Sequence, residues 1–163
     1  MSKGTGIPQF KRAAGRYRIL HLATHGMYDD TDPMYSHLVL ARSAGDDNDG
    51  LLEAREIVDL DLHADLAVLS ACATGRAVAR GGEGMIGLSW AFLGAGCPAA
   101  VVSMWSVESA ATARLMVDFH RRLVRGDSPP EALRRAELSL MTNRRYHHPY
   151  YWAPFVVVGA PYP

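Results

Sequence analysis

Cysteine is scarce in this chain. Two residues of 163, Cys72 and Cys97, are too few for a disulfide framework, so folding must rest on a hydrophobic core, and a reducing cytoplasm is the expected compartment. Net charge is lacking too: seventeen basic residues balance seventeen acidic ones, which leaves no global field to draw the chain toward nucleic acid or an anionic membrane. The opening MSKGTGIPQF has no apolar core of the kind a signal peptide needs. No internal repeat and no low-complexity tract is present. What the chain does have is apolar content, 48% hydrophobic against 21% charged residues, enough at this length for one domain over 1–163 that buries most of its apolar surface.

No charge falls between Glu83 and Glu108, a stretch long enough to span a bilayer. Its punctuation excludes that reading. Gly84, Gly87, Gly94 and Gly96 interrupt it, and Pro98 separates a helical half, Met85 to Ala95, from a strand-like half, Ala99 to Met104. A buried helix feeding a buried strand is the expectation.

Short apolar runs recur at Tyr17 to Ala23, Leu38 to Ala41, Leu66 to Ser70, Ala99 to Met104 and Phe155 to Val158. Several are nearly continuous rather than alternating, and helical patterns lie between them, which predicts an α/β fold with a mostly parallel sheet covered on both faces. A short helical lead-in, Gln9 to Ala14, precedes the first strand. In Glu108 to Arg125 the apolar Ala111, Leu115, Phe119 and Leu123 keep a spacing of four, with Ser106 as the expected cap and Gly126 after the end. A second helix starts at Ser128-Pro129-Pro130-Glu131 and runs to about Met141.

The zero net charge hides an uneven distribution. Asp46 to Asp65 holds eight acids and one base, and Arg114 to Arg145 holds eight arginines and four acids. Solvated helix faces account for this most simply, and a docking surface is the sharper reading. Arginines scattered over helices without interleaved exposed aromatics give little support for nucleic-acid binding.

Two motif matches are weak. Gly82 to Gly87 fits G-x-G-x-x-G, but the preceding strand ends near Ser70, too far back to feed a dinucleotide-binding turn, so these glycines are expected to let a helix approach neighbouring backbone. Asp47, Asp49, Gly50 and Glu56 match positions of a calcium-binding loop, but Gly45 stands where its first carboxylate belongs. Asp49-Gly50 as a turn before a short helix from Leu52 to Val58 is simpler.

Two further sites share an architecture. His25-Gly26 follows the strand Tyr17 to Ala23, and Cys72 follows the strand Leu66 to Ser70. The carboxyl edge of a parallel sheet is where ligands and chemistry gather. If the strands are neighbours, an imidazole faces a thiol, and it can take the thiol proton and later protonate a departing amine. Gly26 allows close backbone approach, and its N–H and that of Cys72 are candidate donors to an oxyanion. A buried structural Cys72 is the competing reading. His21 is the rival imidazole, placed deeper in the strand as an interior histidine, and Cys97 reads as core. Zinc on His21, His25, Cys72 and Cys97 lacks any ligand-pair spacing, so no metal or other cofactor is expected.

These residues resemble the CHAT domain, a caspase-like peptidase module often found beside tetratricopeptide repeats. The resemblance is carried by HLATHG with the following Asp32-Pro33 and Ser36 to Leu40, by DGLLEAREI, ADLAVLSACATG and GGEGMIGLSWAFLGAG, by the Trp105-centred SMWSVES, and by HPYYWAPFVVVG. The segments stand in family order over nearly the whole chain after Phe10. The resemblance implies a caspase-like α/β/α sandwich and a cysteine endopeptidase, with His25 as the catalytic histidine, Cys72 as the nucleophile, and a polypeptide as substrate. Ser70, Trp105 and Glu108 are then candidates to line the pocket for the side chain before the scissile bond. Glu108 has a competing role as a charge at a helix start. Departures from the family pattern are the neutral Ala73 and Ser109, where members often carry acids, and Ser70, where metacaspase-like relatives carry an acid. Set against complete members, strands ahead of the histidine strand look absent, which would leave an unpaired edge and implies a homo-oligomer or a partner chain that completes the sheet. Relatives include regulated proteases, some in prokaryotic defence. A catalytically silent interaction module on the same fold is the alternative.

Overall fold

The computed structural model describes residues 5–29, 31–42, 48–70, 72–73, 83–106 and 108–160, with backbone alone at 72–73 and 83–86. Its apolar runs become strands where their side chains have two faces to fill. Strands β5 (Leu66–Leu69) and β7 (Ala99–Ser103) are buried at every position. Leu66 and Val68 join Ala99 and Val101 in one apolar cluster, while Ala67 and Leu69 join Ala100 and Val102 in another on the opposite face. Continuous hydrophobicity thus marks strands covered on both sides.

The main sheet has the order β1-β5-β7-β8, with β1 at Ile19–Leu22 and β8 at Phe155–Gly159. β1, β5 and β7 run parallel and β8 is antiparallel to β7. One face packs on α1 (Ile7–Ala13), α2 (Ala54–Val58) and α3 (Glu83–Gly94), whose Phe10, Ile57 and Phe92 enter the cluster of Ala67, Leu69, Ala100 and Val102. The other face packs on α4 (Ser109–Val124) and α5 (Pro129–Met141) through Leu115, Phe119, Leu133 and Leu140. Helices on both faces of a mostly parallel sheet make the expected α/β/α sandwich. Each fully buried large side chain in it stabilises the fold by about 1.5–3 kcal/mol relative to exposure.

A second, smaller sheet has the order β4-β3-β2-β6. It contains β2 (His25–Met27), β3 (His37–Val39), β4 (Leu51–Glu53) and β6 (Cys72–Ala73). β3 is antiparallel to both β2 and β4, while β2 and β6 are parallel. The apolar run at Leu38 therefore belongs here and not to the main sheet. It is a strand because Leu38 and Leu52, both fully buried, pack beneath the small sheet in register with each other.

Local signals correct several expectations. The histidine run is interrupted after Leu22, so His25 lies in a different sheet from His21. Leu52 is in a strand, and the short helix begins at Ala54, where Glu53 and Glu56 form a reciprocal capping box. α4 is capped by Glu108, whose carboxylate accepts from the Ala111 N–H at 2.8 Å, and not by Ser106. Ser128 makes no side-chain cap bond, so Pro129 alone sets the start of α5. The Asp49-Gly50 turn is present, with Gly50 at φ +81° and Asp49 accepting from the Leu51 N–H. Residues 45–47 of the calcium-loop match lie outside the described residues, as do Gly81 and Gly82. Gly87 does serve a close approach: a Cβ there would stand 2.9 Å from Pro33. Among the described residues no helix is long and apolar enough to cross a membrane.

Gly96, between α3 and β7, holds φ +104°, and a Cβ there would meet the Leu62 carbonyl oxygen at 2.7 Å. Gly96→Ala is expected to cost at least about 1–3 kcal/mol from the left-handed backbone alone, read as a lowered urea midpoint with unchanged slope.

Candidate functional site

The two sheets meet where β1 and β5 end. β1 and β5 pair as Ile19 with Leu66 through Leu22 with Leu69. Both strands are then interrupted for two residues, and the chains pair again, still parallel, as His25 with Cys72 and Gly26 with Ala73. The offset between partners is the same before and after the interruption, so β2 and β6 continue the alignment set by the main sheet. This places the His25 and Cys72 backbones at one register position of adjacent strands, a separation of about 4.8 Å. The Cys72 side chain lies outside the described residues.

His25 is exposed and lines a cavity of about 930 Å³ between the strand ends and α4. Ser70 and Thr24 line it from the strand side, and Met116, Val117 and His120 from the helix. Gly26 is buried in the middle of the small sheet, opposite Leu38 on one side and Ala73 on the other. Trp105 and Glu108 are not among the residues that line this cavity. The Trp105 indole N–H donates to the Tyr150 carbonyl at 3.2 Å, and the ring packs on the α4–α5 cluster. Glu108 is engaged as the α4 cap. Of the three candidates for a side-chain pocket, the structure brings only Ser70 to the cavity.

His21 departs from its expected place as an enclosed interior residue. Solvent reaches it through the cavity opening, on the face of β1 that α4 only partly covers, but its ring is set between Ser70 and His120 and is partly shielded from water; Nε2 lies 2.8 Å from Ser70 Oγ. Its Nδ1 is 3.0 Å from His120 Nε2, and the two rings sit 4.9 Å apart at 33°. The result is a polar chain from β5 through β1 to α4, set in a largely apolar cavity. Removal of the ring from water, and secondarily His120, lower the His21 pKa to about 4; desolvation lowers that of His120. Two neutral imidazoles share one proton in this contact, one nitrogen donating and the other accepting. The sequence stripe Ala111, Leu115, Phe119, Leu123 concealed His120, which lies one position off it on the cavity-facing side of α4.

Cys97 is fully buried and its Sγ donates to the Ala99 carbonyl at 3.2 Å. Burial pushes its thiol pKa up, so it is an inert core residue. Among the described residues no three His, Cys, Asp or Glu side chains converge to hold a metal ion.

The family model described as the CHAT domain matches residues 4–160. The chain belongs to the CHAT domain family. Membership implies a caspase-like, peptidase-type fold, with which the mostly parallel α/β sheet is consistent. Tetratricopeptide repeat protein 28 of Mus musculus is 33% identical over 112 residues, and the Homo sapiens protein of the same name is 32% identical over 110. Each alignment covers 68% of this CHAT domain and 4% of the relative.

The histidine pair gives the CHAT domain a pH dependence. Because the folded His21 titrates below the ordinary histidine value of about 6.5, the unfolded chain binds more protons between about pH 6.5 and about 4, and stability falls as pH falls through that window. Glu137 on α5, pushed up to about 7 by burial, acts in the opposite direction, so the informative quantity is a difference between proteins. His21→Gln is expected to lose less melting temperature than the parent between pH 7 and 5, measured by calorimetry in matched ionic strength.

Proposed function

We propose that this CHAT domain is a cysteine endopeptidase in which Cys72 is the nucleophile and His25 the general acid and base. The observation that carries this reading is the β2–β6 register, with His25 and Cys72 as partners beside a cavity that His25 lines. The His25 imidazole takes the Cys72 thiol proton as sulfur attacks a peptide carbonyl carbon. The resulting oxyanion accepts hydrogen bonds from the Gly26 and Cys72 backbone N–H groups. The C–N bond then breaks, the imidazolium gives its proton to the departing amine, and a thioester remains. Water, deprotonated by His25, hydrolyses the thioester and returns the thiol. No step needs a metal or an organic cofactor.

Ser70, two residues before Cys72 and hydrogen-bonded to His21, is the best-placed of the three candidates to meet the substrate side chain. Trp105 and Glu108 act behind it, by holding the segment between β7 and α4. The second reading, an interaction module without turnover, is favoured by the cavity itself, whose apolar α4 wall suits peptide binding whether or not a bond is cut. Control by a partner fits either reading.

The test is the reactivity of the thiol. Iodoacetamide alkylation of Cys72, followed by mass spectrometry across pH, is expected to report a pKa well below the ordinary value of about 8.5, and His25→Ala is expected to raise it. With a peptidyl acyloxymethyl ketone, labelling should vanish in Cys72→Ala and slow by about 10²–10⁴-fold in His25→Ala. An ordinary thiol that ignores His25 would overturn the peptidase reading and leave the interaction module.

A further inference from the structure

Resting on the peptidase reading above, we infer that the cavity beside His25 selects a large apolar side chain before the scissile bond and excludes lysine and arginine. Position decides which part of a substrate enters. Ser70 lines the cavity and stands two residues before Cys72, so the opening lies beside the strand that carries the nucleophile and receives the side chain directly preceding the bond to be cut. A volume of about 930 Å³ is ample for leucine or phenylalanine. The wall that α4 contributes is aliphatic, with Met116, Val117 and Val124. Val117 is 49% and Val124 89% exposed, so these surfaces meet water in the free domain, and an apolar side chain that covers them removes apolar area from water on both partners.

The charges on the lining act against a basic occupant. Among the described residues no acidic side chain lines the cavity. Asp118, the one acid within α4, is paired with Arg122, and Glu108 is held by the Ala111 N–H. The segment from Ala71 through Gly82, which carries Cys72, contains two arginines and no acid. The polar floor brings no charge at neutral pH: His21 and His120 are neutral imidazoles in mutual contact, and Ser70 and Thr112 present hydroxyls. The permanently charged groups on the lining are Arg121 and Arg125, which make no ion pair among the described residues. An ammonium or guanidinium would leave water with no carboxylate to receive it and with two like charges nearby. A carboxylate is the intermediate case, drawn by two exposed arginines but given no cation at the floor.

The test uses peptidyl acyloxymethyl ketones that differ only in the residue next to the ketone: leucine, phenylalanine, glutamate, lysine or arginine. Rates of Cys72 labelling are expected to be at least about 100-fold higher for leucine and phenylalanine than for lysine and arginine, with glutamate between them. Val117→Asp, which sets a carboxylate on the half-exposed wall without opening the core, should narrow the leucine-to-lysine ratio at least about tenfold. A second arm is independent of the chemistry: dye-labelled peptides that differ by leucine or lysine at one central position are titrated into the Cys72→Ala chain, and the leucine peptide is expected to bind at least about tenfold tighter. Equal labelling by the basic probes, equal or absent binding in Cys72→Ala, or a ratio indifferent to Val117→Asp would each overturn the preference. Failure of every probe to label Cys72, with the binding ratio intact, would overturn the peptidase reading and leave the preference standing as that of a peptide-binding cavity.

Discussion

The parallel alignment of β1 with β5 is the constraint on which the rest of the site depends. Those two strands are locked by packing on at least one face, since a slip of one residue would turn Leu20 and Leu22 away from the cluster they share with Ala67 and Leu69, and Val68 away from the one it shares with Leu66. The alignment survives a two-residue interruption in each chain and reappears in β2 and β6. Core packing some distance below the crevice thereby decides which residue stands opposite His25. The small sheet needs little stability of its own to do this, because Leu38 and Leu52 anchor it from beneath.

Coverage of the sheet is unequal, and chemistry collects where it is thinnest. β5 and β7 are enclosed by helices on both sides, whereas β1 buries Leu20 and Leu22 on one face and leaves Ile19 and His21 on the other. α4 approaches that face without closing on it. The gap is bridged by His21 and His120 and lined by aliphatic side chains such as Met116 and Val117 together with His25, Ser70, Arg121 and Arg125. A pair of imidazoles in such a place stays neutral because charging either would cost solvation that the cavity does not restore.

The helices that frame the site are set by short-range chemistry. Glu108 caps α4 and fixes where the cavity wall begins, and the Glu53–Glu56 box starts α2 directly after β4. Neither is the Ser or Thr that cap preferences favour, which is why the sequence offers Ser106 as the cap of α4 although it places the helix itself correctly from Glu108, and why Glu108 stays divided between helix-start charge and pocket residue until its acceptor role is seen. Trp105 similarly reads as a recognition aromatic, yet its indole is committed to the Tyr150 carbonyl. Side-chain partners contributed by distant segments were invisible in the local pattern.

Much was legible in the order of residues: the α/β class, the doubly covered strands at Leu66 and Ala99, the helices ending before Gly126 and at Met141, the buried Cys97, and a histidine and a cysteine each placed just past a strand. These follow from periodicity and strand length, which are local properties of the chain. Only the tertiary structure decided that the run at Leu38 belongs to a second sheet, that His21 joins Ser70 and His120, and that His25 shares a register with Cys72. Each of those depends on contacts between segments far apart in the chain. Their geometry is set by how apolar faces pack across the whole domain, and no window of sequence contains that information.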